Sequence, residues 1–76
     1  MITGAQIRAA RALLKWKLPE LADRSGVSAS SIWRVEQIDG VPPMKADNLA
    51  KIEGALEAAG VELINGEHGT GVVLRR

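Results

Sequence analysis

Arg34 is the side chain of this sequence whose shape and charge best suit one specific kind of chemistry. A guanidinium holds its N–H donors in a planar fork, and the fork matches the O6 and N7 acceptors on the major-groove edge of guanine. Ala29 and Ser30, in the same run Ser28-Ala-Ser-Ser-Ile-Trp-Arg34, are too small for two-pronged contacts, so of these three only Arg34 has the shape for such a contact. An arginine on an exposed helix face is more often simply solvated, and that alternative stands beside the first. Trp33 is open between three roles: touching a sugar or a thymine methyl, packing on the loop at Pro42 and Pro43, or serving a protein interface. Bond-making chemistry has little to work with. There is no cysteine, no nucleophile with a paired base and no carboxylate pair on a common buried face. His68 sits in a glycine-rich loop without a second ligand nearby, and that loop precedes a strand rather than a helix, so it is not a phosphate cradle. We read no enzyme, no metal and no cofactor.

The elements that must position Arg34 are legible between Pro19 and Glu36, in the run Pro-Glu-Leu-Ala-Asp-Arg-Ser-Gly-Val-Ser-Ala-Ser-Ser-Ile-Trp-Arg-Val-Glu. Leu21 and Ala22 give a short helix an apolar and a small residue on its inner face, and Ala22 must be small where two helices cross. Gly26 supplies the positive φ of a sharp turn, Val27 plugs the corner, and the Ser28 hydroxyl caps the next helix. Ile32 and Val35, three apart, turn that helix back onto the first. This is the pattern of a helix-turn-helix, a geometry that reads DNA.

Around this pair, Thr3 and Gln6 form a capping box that opens a first helix, with Ile7, Ala10 and Leu14 on its buried side. Trp16, expected in the core, and Leu18 close the junction to the second helix, where Pro19 is tolerated in the first turn. The third helix runs from about Ala29 to Glu36, and residues 39–43 form a loop. A fourth helix carries Leu49, Ile52, Leu56 and Ala59 along one side and stops at Gly60. The period then becomes extended: Val61–Ile64 and Val72–Leu74 read as two short strands around a glycine-rich loop at 65–71. An isolated hairpin is marginal in water, so these strands need either the helical body or a second copy of themselves, which makes them a dimer contact.

Composition sets the remaining bounds. A 76-residue chain is one small domain that hides only about 60% of its unfolded surface. We divide it into a helix-turn-helix domain over 1–60 and a strand extension over 61–76. No apolar run approaches a membrane span and no targeting segment is evident, so the expected setting is soluble and cytoplasmic, without a membrane partner. Net charge is only +1, but it is unevenly placed: residues 1–45 hold seven lysines and arginines against four acids, and residues 46–76 hold three against five. The basic part holds the helix-turn-helix, as phosphate binding requires.

The segment from about Gln6 to Leu56 resembles the lambda-repressor/Cro-like (XRE-type) helix-turn-helix family. The ending Leu-Glu-Ala-Ala-Gly-Val-Glu-Leu-Ile, followed by glycines and Val-Val-Leu-Arg, is similar to small stand-alone bacterial members. The resemblance implies a mainly α fold, a lambda-repressor-like domain of four helices, here with a short C-terminal β-hairpin. It also implies a transcriptional regulator, usually a homodimer on two-fold related double-stranded DNA, with its third helix in the major groove. By position, Ser28 would touch a phosphate or cap the helix, Ala29, Ser30 and Arg34 would face base edges, and Trp33 would lie beside them. The same resemblance implies a largely buried ion pair between Arg11 and Glu36. The chain departs from the family where a polar cap and a phosphate-binding glutamine are usual: those positions are Lys17 and Leu18. Lys15, Lys17 or Lys45 could supply the phosphate contact instead. The alternative function is a protein-interaction module that kept the helix-turn-helix fold with weak or lost DNA reading.

Overall fold

The computed structural model describes residues 2–75 and shows four helices followed by an antiparallel hairpin: α1 (Gly4–Leu14), α2 (Leu18–Ser25), α3 (Ala29–Glu36), α4 (Ala46–Ala58), β1 (Val61–Gly66) and β2 (Gly69–Leu74). The capping box forms as expected. Thr3 Oγ1 accepts from the Gln6 amide at 3.1 Å, and Gln6 Oε1 accepts from the Thr3 amide at 2.9 Å. Helix α1 ends at Lys15, which takes a left-handed conformation (φ 58°) and donates its N–H to Ala12 O at 3.1 Å. For a residue with a Cβ this backbone costs about 1 kcal/mol. The turn between α2 and α3 is the one the sequence requires, with Gly26 at φ 76° and its N–H on Ala22 O at 2.8 Å.

One apolar core joins all the elements. Ile2, Ile7, Leu21, Ile32, Ile52 and Leu56 are its largest fully buried side chains, joined by Val35, Leu49 and Val61. Leu14 and Trp16 are only half-buried at its margin, and the Arg24 guanidinium lies 4.5 Å from the Trp16 ring centroid. The expected core tryptophan therefore spends its outer face on a cation rather than on apolar neighbours.

The strands are longer than the apolar residues suggested. Register pairs run from Val61 with Leu74 to Gly66 with Gly69, so most of the glycine-rich segment is strand and the turn is Glu67 and His68 alone. Glycine permits extended backbone as readily as turn backbone, so its presence did not mark the loop limits. The hairpin is supported by the helical body: β2 packs on α1 and β1 on α4, and Leu63, Val72 and Leu74 pack against the core. Gln6 completes the attachment. Its buried Nε2 donates to Ile64 O and Gly71 O, both at 3.0 Å, so one side chain caps α1 and holds both strands.

Candidate nucleic-acid interface

The site is built on α3. Ser28 caps it: Oγ accepts from the Ser31 amide at 3.3 Å and lies 2.8 Å from Ser31 Oγ. Ile32, Val35 and Glu36 face inward. Helical periodicity then places Ser30, Trp33, Arg34 and Gln37 along one outer arc at spacings of three and four, and all four are exposed. Ala29 is half-buried beside this arc. Of the expected contacts, the fold thus brings Ser30, Trp33 and Arg34 onto one face, with Ser28 at its start. Gln37 was not anticipated; its Nε2 donates back to Trp33 O at 3.1 Å.

Arg34 is exposed, and its nearest polar contact is a long one, 3.4 Å from Nη2 to Ser31 Oγ. It shares a groove of about 480 Å³ with Lys45, over a floor that includes Val35, Pro43 and Met44. No acidic residue lines this groove. Lys45 is the first residue ahead of α4 and makes no side-chain cap. Lys17 occupies the equivalent place ahead of α2, also without a capping bond, but it lies in a different hollow. That hollow includes Lys15 and also Glu20 and Asp23, so the positive charge there is tempered.

The carboxylates at the far end of α3 are taken by arginines of α1. Arg11 makes a two-pronged pair with Glu36, Nε to Oε2 at 2.8 Å and Nη2 to Oε1 at 2.9 Å, and its Nη1 donates to Trp16 O at 2.9 Å. The Glu36 side chain is 3% exposed. The hydrogen bonds to Glu36 raise the Arg11 pKa above its ordinary value; burial opposes the shift and the charge of Glu36 adds to it. One turn earlier on α1, Arg8 donates to the main-chain carbonyl of Glu36 and to Asp39 Oδ1 at 3.1 Å. The pairing of Arg8 with Asp39 has no local signature in the sequence, although three-residue spacing puts Arg8 on the same side of α1 as Arg11. The outer arc thus carries the charge of Arg34, while Glu36 and Asp39 each pair with an arginine of α1.

Among the described residues no group of side chains is placed to hold a metal ion, and no helix is long and apolar enough to cross a membrane. No protein-family model matches the chain, and no curated protein matches it.

Proposed function

We propose that the chain is a sequence-specific double-stranded DNA-binding regulator that lays α3 in the major groove and acts as a homodimer in the cytoplasm. The observation that carries this reading is the outer arc of α3, where Arg34 stands exposed beside Ser30 and Trp33 while Arg8 and Arg11 hold the nearby acids. An α-helix is about 10–12 Å across with its side chains, which matches the width of the major groove. Lys45 and Lys17 would meet phosphates on either side, a positioning role that carries no sequence information.

Substitution of Arg34 tests the proposal. Arg34→Ala should weaken binding to the preferred duplex by about 1–3 kcal/mol and leave binding to unrelated duplex nearly unchanged, as measured by fluorescence anisotropy. Equal losses on both duplexes would reduce Arg34 to a phosphate contact. The second reading, a protein-interaction module with weak or lost DNA reading, draws on the exposed Trp33 and predicts no preference for any duplex sequence.

A further inference from the structure

The groove between the end of α3 and the start of α4 joins a charged rim of one sign to an apolar floor. Arg34 and Lys45 line it, and no acid does. Arg34 Nη2 has only a long contact, 3.4 Å to the hydroxyl of Ser31, which also lines the groove, so its fork of donors is open to a stronger acceptor. Lys45 stands ahead of the 13-residue helix α4 and makes no side-chain cap, so the first-turn amides of that helix add to the positive potential. The floor includes Ile38, which stays 37% exposed, with Pro43 and Met44. It is set before any ligand arrives. Pro42 is buried, the Ile38 amide donates to Val35 O at 3.1 Å and the Met44 amide to Pro42 O at 2.8 Å, and the two prolines fix their own φ angles.

A phosphate of a DNA backbone would answer the two cations and leave the apolar floor in water. A neutral apolar molecule would cover the floor and leave the cations unanswered. An anion with an apolar body fits both, and the groove volume of about 480 Å³ falls within the span of small-molecule sites, about 300–1,000 Å³. We infer that this groove binds a small amphipathic carboxylic acid, its carboxylate taken by Arg34 and Lys45 and its apolar body laid on Ile38, Pro43 and Met44. A carboxylate accepts from a guanidinium in two prongs and keeps lone pairs for an ammonium. Methionine adapts its shape to the body that covers it. The site goes beyond the proposed function: it shares Arg34 and Lys45 with the residues given there to DNA, yet it is complete without a duplex.

The test is a titration of sodium octanoate into the full chain, with no DNA present, followed by amide chemical shifts. The amides of Ile38, Met44 and Lys45 should move along one saturating curve, while those of Ile64 and Val73 on the hairpin stay still. Across butyrate, hexanoate and octanoate, affinity should rise about fourfold for each methylene that reaches the floor, and acetate and neutral octanol should bind far more weakly than octanoate. Arg34→Gln and Lys45→Gln, both at exposed positions, should each weaken octanoate about threefold. Lys51→Gln, exposed but outside the groove, should leave it unchanged. Acetate binding as tightly as octanoate would reduce the groove to a simple anion contact and overturn the inference. Octanol binding as tightly as octanoate, or shifts centred on the hairpin, would overturn it too. So would Ile38 and Met44 amides that respond to dilution of the chain and not to octanoate, the mark of a groove filled by a second copy. Failure of the chain to bind duplex would defeat the proposed function and leave this ligand site standing.

Discussion

At the residue scale, the placement of α3 depends on side chains whose partners lie on another helix. Arg11 and Glu36 are 25 residues apart in sequence and form a two-pronged pair in which Glu36 is almost completely buried. Replacing only one leaves a stranded charge. Arg11→Met should therefore cost about 3–5 kcal/mol, and the double variant Arg11→Met with Glu36→Leu should recover much of that loss in thermal unfolding. Simple additivity of the two losses would show that the pair is not coupled. Because the hydrogen bonds to Glu36 raise the Arg11 pKa, its contribution is not lost on the alkaline side until pH rises through a value above that of an ordinary arginine. The deficit of Arg11→Met should thus stay level between about pH 6 and 9. The sequence made the types and spacing of Ser30, Trp33 and Arg34 readable, because helical periodicity alone puts them outside. It gave no warning of the Arg8 clamp on Asp39, whose partner follows the end of α3, or of Lys15 in a left-handed conformation, since nothing in a lysine announces one.

At the scale of elements, the angle at which α3 is presented depends on how closely α1 approaches its C-terminal end. The tightest point is Gly4. A Cβ there would fall 1.9 Å from Ile38 O and 2.1 Å from Val35 O, and both obstacles are backbone. Gly4→Ala must push the start of α1 away from the end of α3, and it should destabilise the fold by about 1–3 kcal/mol in urea unfolding. A variant as stable as the parent would show that this contact does not fix the helix. All four helices were legible from caps and apolar spacing, since Thr3, Gly26 and Ser28 act locally. The hairpin was legible only as two extended runs. Its length depended on glycines that fit strand and loop alike, and its attachment to the helices depended on Gln6, a residue whose partners are 58 and 65 positions away.

For the whole molecule, the open question of the sequence was whether the strands lean on the helices or on a second copy. Their inner face leans on the helices, while the outer face keeps Ile64 42% and Val73 37% exposed, bordered by a Glu62–Arg75 ion pair. Helix α3 packs on α1 and α2, and the hairpin packs on α1 and α4, so a contact through the hairpin does not require covering α3. Sedimentation at micromolar concentration should show a dimer for the intact chain. Ile64→Lys combined with Val73→Lys should give a folded monomer with weaker DNA binding. An intact chain that is monomeric, or a double variant that still dimerises, would remove the hairpin from this role. The central claim, that α3 and its flanking lysines engage duplex DNA, is tested most directly by the salt dependence of binding. Each neutralised phosphate contributes about −0.9 to the slope of log K against log salt. With Lys17 and Lys45 as the phosphate contacts, a single copy should show a slope of about −2 and a dimer about twice that. A slope near zero, or no duplex binding at about 50 mM salt where phosphate contacts are strongest, would contradict the DNA-reading account.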